Sequence, residues 1–304
     1  MRPNLAVKIG KLRLKNPVMV ASGTFGYAEE FADFIDFKKL GALVTKTITL
    51  NLRQGNPVPR TCETPAGMLN SIGLENPGID AFIEEKLPAL VKLDVPVIVS
   101  ISSETNPEEF IGLAKKLGKI REVAGFELNI SCPNLKSKRL IAQDPRATYE
   151  VIKAVRKVTN KTLVTKLSPN VIDIAEIALA AQKAGSDAVS LINTLTGMSI
   201  DVEEKKPKLA SVTGGLSGPA IRPVAVRMVW EAYQKIKIPI IGMGGIMDAA
   251  SALEFIIAGA TAISVGTANF INPRISTDII AGINRHLQEN RIKDIKYLIG
   301  SLKA

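Results

Sequence analysis

IPIIGMGGIMDAASALEFIIAGATAISVGT, residues 238–267, decides the fold. A short β-branched run ends in a glycine-rich turn, and Asp248 stands where a helix N-cap is needed. An apolar helical stretch follows, Gly259 closes it, and a second buried run ends at Gly266. Such strands, apolar on both faces, belong to parallel sheets. The same alternation recurs along the chain, with strands predicted at 18–22, 42–48, 95–101, 125–130, 162–167, 188–193, 238–242 and 262–266, each followed by a helix. Asn106-Pro107, Asp144-Pro145 and Asn272-Pro273 each set a capping side chain before a proline at the first helical position. Asn106 and Glu109 have capping-box spacing. Ile174, Ile177, Ala178 and Ala181 mark one apolar helix face, which Gly185 ends. Eight strand–helix units in order predict an α/β fold, a (β/α)8 TIM barrel spanning residues 1–304 as a single domain. Residues 3–17 are expected to form a short N-terminal β-hairpin at the barrel bottom, while 49–77 and 195–221 follow strands two and six as catalytic-face loop insertions.

The composition agrees. Of 304 residues, 46% are hydrophobic, 22% charged and 5% aromatic, which excludes disorder, collagen-like repeats and coiled coil. The two cysteines, Cys62 and Cys132, cannot build a disulfide scaffold, a four-cysteine zinc site or a four-thiolate iron–sulfur cluster. No metal site is expected, and a reducing cytoplasm is the expected compartment. The N-terminus has no signal-peptide pattern. Residues 255–273 carry no charge, but Gly259, Gly266, Asn269, Asn272 and Pro273 interrupt them. They read as a helix end and a buried strand rather than a membrane span. The net charge of +10 comes from scattered lysines without interleaved aromatics, so no nucleic-acid partner is expected. A positive field still favours an anionic ligand or an acidic partner.

In a barrel the chemistry gathers at the C-terminal strand ends. Ser22, Lys46, Thr47, Asn129, Lys166, Asn193 and Thr194 stand there. Two lysines near strand ends are costly unless each meets a carboxylate, a ligand anion or developing negative charge. The last two strands end in glycine-rich turns, at 242–246 and 265–268, and a third glycine segment lies at 214–218. Backbone N–H groups in such turns cradle phosphate. Without a dinucleotide fingerprint or P-loop, the expected ligand is of mononucleotide type. Cys132 follows strand four in a polar segment at the catalytic face, where a thiol of lowered pKa can act as base or nucleophile. Cys62 has no such company and reads as structural. His286, the sole histidine, falls in the last helix, so Cys132 is the expected base.

The motifs ASGTFG at 21–26, TKTIT at 45–49, NSIGLENPG at 70–78, NISCPN at 129–134, Asn193-Thr194, TGGLSGPAIRP at 213–223, GMGGI and GTA carry a resemblance over essentially the whole chain. The chain resembles the catalytic subunits of class 1B, NAD-linked dihydroorotate dehydrogenases. The resemblance implies FMN across the barrel mouth. Ser22, Lys46, Thr47, Asn129, Lys166 and Ile192 would contact its ring and ribityl parts, and Gly218, Gly244, Gly245, Gly266 and Thr267 would hold its phosphate end. Ser100 stands where the family usually has an asparagine near the flavin. Dihydroorotate or orotate would be held by Lys46, Asn70, Ser71, Ile72, Gly73, Leu74, Asn129, Asn134, Asn193 and Thr194, since asparagines offer a planar imide both donor and acceptor. Lys46 suits the substrate carboxylate, and Lys166 suits negative charge on the reduced flavin. Cys132 would take the C5 proton while C6 delivers hydride to flavin N5.

The resemblance further implies a homodimer of barrels, each carrying a separate electron-transfer subunit with FAD and a [2Fe–2S] cluster, in a heterotetramer that passes electrons to NAD+. Cysteine in the place of the base argues against the membrane-associated class 2 enzymes, which use serine, and SGPAIRP favours class 1B over the fumarate-linked class 1A. Two other readings remain open at this point. One is a nucleotide-phosphate barrel of the IMP dehydrogenase type without flavin. The other is a nucleic-acid-binding module motivated by the charge.

Overall fold

The computed structural model describes residues 3–103, 107–131 and 141–303. Eight parallel strands close into a barrel: Val18–Val20, Ala42–Val44, Val97–Ile101, Val123–Asn129, Thr162–Lys166, Ala188–Leu191, Ile240–Gly242 and Ala262–Val265. Each pairs with its sequence neighbours, and the eighth pairs with the first through Ile263↔Val18 and Val265↔Val20. These are the eight predicted strands, shortened at several ends where the chain turns toward the mouth. Their residues are almost wholly buried, because the outward side chains meet helices and the inward ones meet each other.

Helices Ile79–Ala81 continued to Val91, Pro107–Gly118, Pro145–Arg156, Ile174–Ala184, Arg222–Lys235, Ala249–Ala258 and Ile275–Glu289 follow strands two to eight. The first unit differs from the expectation. Between strands one and two lie only the 3-10 turns Glu29–Phe31 and Phe37–Lys39. An aromatic cluster covers the barrel there instead, with Phe25 stacked on Phe31 at 4.0 Å and edge-on to Phe37 at 6.0 Å.

The caps follow local chemistry. Asp144 Oδ1 accepts from the N–H groups of Arg146 and Ala147 at 2.9 and 3.3 Å. Gly185 ends its helix in the left-handed region. Asn272 is a correction: the last long helix begins at Ile275, so Pro273 stands outside it. Asn272 Oδ1 accepts from Arg274 N at 2.9 Å, which closes an Asx turn ahead of the helix. The predicted cap Asn106 lies outside the described residues.

The hairpin Val7–Ile9/Leu12–Leu14 forms at the barrel bottom, where Lys11 N donates to Thr162 Oγ1 at the start of the fifth strand. The two insertions become one structure. Leu195–Met198, Thr213–Ser217, Gly67–Asn70 and Thr61–Thr64 form an antiparallel sheet, with Gly215 opposite Asn70 and Leu216 opposite Leu69. That sheet lies beside the C-terminal mouth. The charge-free stretch resolves into the end of helix Ala249–Ala258, the eighth strand and a four-residue helix Ala268–Ile271. Among the described residues no helix is long and apolar enough to cross a membrane.

Asp248 and Ser251 cap helix Ala249–Ala258 reciprocally, with Asp248 Oδ1 accepting from Ser251 N at 2.8 Å and Ser251 Oγ accepting from Asp248 N at 3.0 Å. The Ser251 N–H, seconded by its hydroxyl, holds the Asp248 carboxyl below the usual carboxylate range. Asp248→Ala is expected to lower the unfolding free energy by about 1 kcal/mol at neutral pH, read by urea titration. A depressed folded-state pKa contributes stability above the unfolded-state value that is lost as pH falls through the folded-state one. The two proteins should therefore converge in acid, and a gap that persists there would assign the effect to something other than the ionised cap.

Candidate active site

A cavity of about 600 Å³ opens at the C-terminal mouth. Its floor is made by residues at or just past strand ends. Asn129 and Lys166 are the last residues of adjacent strands and stand in register. Lys46 and Thr47 follow strand two, fixed by Lys46 N donating to Gly26 O at 2.9 Å. Asn193 N donates to Leu167 O at 3.0 Å, and the Asn193 side chain accepts from Thr194 N at 2.8 Å.

The charge distribution is uneven in a useful way. Lys166 is 6% exposed, and its Nζ has only a long contact, 3.4 Å, to Ser22 Oγ. Among the described residues neither Lys46 nor Lys166 forms an ion pair. Two acidic residues, Glu30 and Glu75, also line the wall, and Glu75 is paired with Arg60 at 2.9 Å. Two lysines from different sides of the barrel thus face the cavity without an ion-pair partner among the described residues, an arrangement suited to a ligand that brings negative charge.

The three glycine segments converge as expected. Gly218, Gly244, Gly245, Gly266 and Thr267 line one end of the cavity. Thr267 Oγ1 donates to Ser217 Oγ at 2.8 Å, tying the eighth strand to the neighbouring sheet. Gly245 has φ +78°, and a Cβ there would sit 2.8 Å from Gly218 O, so backbone packing itself demands glycine. Gly266 is different. A Cβ there would meet only Ala21 Cβ, at 3.9 Å, so the protein's own packing does not require glycine. Its lack of a side chain leaves room for whatever the cavity holds. This cradle and the unpaired lysines fit a phosphate-bearing flavin: Gly218, Gly245, Gly266 and Thr267 can meet the phosphate, and Lys46, Thr47, Asn129 and Lys166 the polar edge of the ring.

Other expected site residues fall as follows. Ser22, Asn70, Ile72, Gly73, Leu74, Ile192, Asn193 and Thr194 line the cavity. Ser71 is buried behind it, its hydroxyl accepting from Asn56 Nδ2 at 2.9 Å. Ser100 does not line it either, because its hydroxyl is engaged inside the barrel with Thr47 at 2.9 Å and Glu127 at 3.4 Å. Both serines thus have protein partners for their hydroxyls. Cys132 and Asn134 lie outside the described residues. Cys62 is half-buried on strand Thr61–Thr64, and His286 lies on the last long helix.

Sequence reasoning missed Glu127, Ser131 and Asn170. Asn170 Nδ2 donates to Thr194 O at 3.2 Å and its Oδ1 accepts from Thr196 N at 2.9 Å, which holds the wall after strand six. Glu127 and Asn129 alternate as polar residues in an otherwise apolar strand, a signal that both point to the barrel axis.

The fold and the cavity define a class: a (β/α)8-barrel enzyme with its ligand cavity at the C-terminal mouth. The family model described as dihydroorotate dehydrogenase matches residues 4–287. The chain is 56% identical over 302 residues to the protein named dihydroorotate dehydrogenase B (NAD(+)), catalytic subunit, of Geotalea uraniireducens, covering 99% of each chain. Proteins of the same name from Trichlorobacter lovleyi, 55% identical over 100% of both chains, and Thermoanaerobacter pseudethanolicus, 53% over 99% of both, are similar end to end. The chain belongs to the dihydroorotate dehydrogenase family. That membership decides against the nucleotide-phosphate barrel of the IMP dehydrogenase type and against a nucleic-acid-binding module.

The contrast between the two glycines is testable. Gly266→Ala should melt within a few degrees of wild type, since the added Cβ meets only Ala21 Cβ at 3.9 Å, yet retain less flavin mononucleotide on purification. Full flavin retention in that variant would place the phosphate elsewhere.

Proposed function

We propose that this chain oxidises (S)-dihydroorotate to orotate in pyrimidine biosynthesis, with FMN in the mouth cavity and with NAD+ as the final acceptor reached through a partner subunit. The observation that carries the reading is the pair of lysines, Lys46 and Lys166, facing one cavity without ion-pair partners among the described residues. End-to-end similarity to proteins named as NAD(+)-linked catalytic subunits supports it.

FMN, when bound, supplies a two-electron acceptor for the hydride that leaves substrate C6. The chain's own residues do the rest. Lys46 binds the substrate carboxylate as a charge-assisted pair. Asn70, Asn129, Asn134, Asn193 and Thr194 orient the ring by hydrogen bonds to its polar edge. Lys166 faces the polar edge of the flavin and offsets negative charge there. Cys132 takes the C5 proton, so one C–H bond gives its electrons to the new ring double bond and the other leaves as hydride. Cys132 follows Ser131, the last described residue of that segment, whose carbonyl accepts from Asn193 Nδ2 at 3.1 Å. The sheet formed by the two insertions contributes Asn70 and Ser217 to the cavity wall.

The electrons then need an exit. Two cysteines in the chain cannot ligate an iron–sulfur cluster, and no dinucleotide fingerprint is present, so FAD and the [2Fe–2S] cluster are assigned to a separate subunit. A dimer of barrels with one such subunit on each gives the heterotetramer.

Two variants test the roles. Cys132→Ala should keep FMN but slow its reduction by dihydroorotate roughly 10²–10⁴-fold in stopped flow, the usual loss for a general base. A rate within about threefold of wild type would remove Cys132 from the proton transfer. Lys46→Met should weaken orotate binding by about 2–3 kcal/mol, read by titration of the flavin spectrum. Unchanged affinity would confine Lys46 to the flavin or the fold.

A further inference from the structure

Glu127 is 2% exposed inside the barrel, below the cavity rather than in its wall. Its two oxygens accept from hydroxyls, Ser100 Oγ at 3.4 Å and Ser190 Oγ at 3.0 Å. Ser190 belongs to the sixth strand and Glu127 to the fourth, so this bond crosses the barrel interior. A carboxylate accepts only, and a hydroxyl has one hydrogen to give. These two facts propagate.

Ser100 spends its hydrogen on Glu127, so at its 2.9 Å contact with Thr47 it accepts. Thr47 has then spent its own hydrogen, so it accepts from Asn129 Nδ2 at 3.2 Å. The Asn129 amide is thereby oriented, and its oxygen accepts from Ser131 Oγ at 3.3 Å. Ser131 Oγ in turn accepts from Asn193 Nδ2 at 3.0 Å. The second Asn193 amide hydrogen goes to Ser131 O at 3.1 Å. Every hydrogen from Asn129 Nδ2 downward points toward the carboxylate.

We propose that Glu127 is a positioning residue whose carboxylate fixes the direction of this chain and so sets the polarity that the Asn129 amide presents to the cavity. Asn193 is held independently by backbone groups, its oxygen accepting from Thr194 N at 2.8 Å and its nitrogen donating to Ser131 O at 3.1 Å. Asn129 keeps one free N–H, which selects a ligand carbonyl or anion. A cyclic imide offers such a carbonyl. The inference deepens the proposed function, which supplies the probe, orotate.

The test compares three holoenzyme variants by orotate titration of the flavin spectrum. Glu127→Gln is nearly isosteric but can donate, so the direction is no longer forced. Ser100→Ala cuts the chain and leaves the carboxylate. Each should raise the orotate Kd roughly 5- to 30-fold at unchanged FMN content, the scale of one misdirected hydrogen bond. Combining them should add no more than about twofold, because both act on one chain. Ser190→Ala, which removes the other bond to Glu127, should stay within about twofold of wild type. Additive effects, or wild-type affinity in Glu127→Gln and Ser100→Ala, would overturn the proposal. A neutron structure of the wild-type protein reads the direction without any substrate. Deuterium on Ser100 Oγ should point to Glu127 and that on Thr47 Oγ1 to Ser100, and the opposite arrangement overturns the proposal. A wild-type protein that does not bind orotate would instead sink the substrate reading, with the neutron map still deciding the direction.

Discussion

Closing eight parallel strands into a barrel leaves a narrow axis that side chains must fill, and any polar group among them must find its partner there. In this protein the lower interior is aliphatic, while toward the mouth the filling turns polar through Glu127, Ser100, Ser190, Asn129 and Lys166. A buried carboxylate with unmet hydrogen-bonding capacity would cost several kcal/mol, of order the desolvation penalty of a charge. The hydroxyls of strands three and six meet that demand, and through Thr47 the chain reaches the Asn129 amide above. The floor of the active site is therefore made by the same contacts that let the barrel close around polar residues.

Above those contacts the two lysines stand out. Lys166 reaches only Ser22 Oγ, at 3.4 Å, and the nearby Glu75 is taken by Arg60. A pair of cations held this way favours any ligand that carries a carboxylate or a phosphate, and it does so before contact, through the field of a chain with net charge +10. The glycine cradle adds room rather than charge, most clearly at Gly266.

Much of this was legible in the residues. Buried strands separated by capped helices are a period-and-punctuation signal, and Asp144, Asp248, Gly185 and Gly259 do what their chemistry suggests. Strand-end polar residues followed from the barrel itself. Other features depend on tertiary partners that no local pattern carries. In place of a first helix, Phe25 stacks on Phe31 and meets Phe37 edge-on. The pairing of Gly215 with Asn70 joins segments 145 residues apart into one sheet. Ser71 and Ser100 read as ligand contacts in sequence, but their hydroxyls have protein partners in Asn56 and in Thr47 and Glu127. Glu127 left a trace as a charged residue alternating with Asn129 in a buried strand, yet its role emerges only when strands three, four and six are seen around one axis.

The central claim, an anion-receptive barrel that oxidises its substrate but relies on a partner to reach NAD+, is tested most directly by absorption spectroscopy of the purified chain alone. The account predicts a yellow protein whose visible band bleaches on anaerobic addition of dihydroorotate, with no NADH absorbance when NAD+ is present until the electron-transfer subunit is added. A colourless protein that takes up no FMN, steady NADH production by the isolated chain, or rapid turnover with fumarate would contradict it.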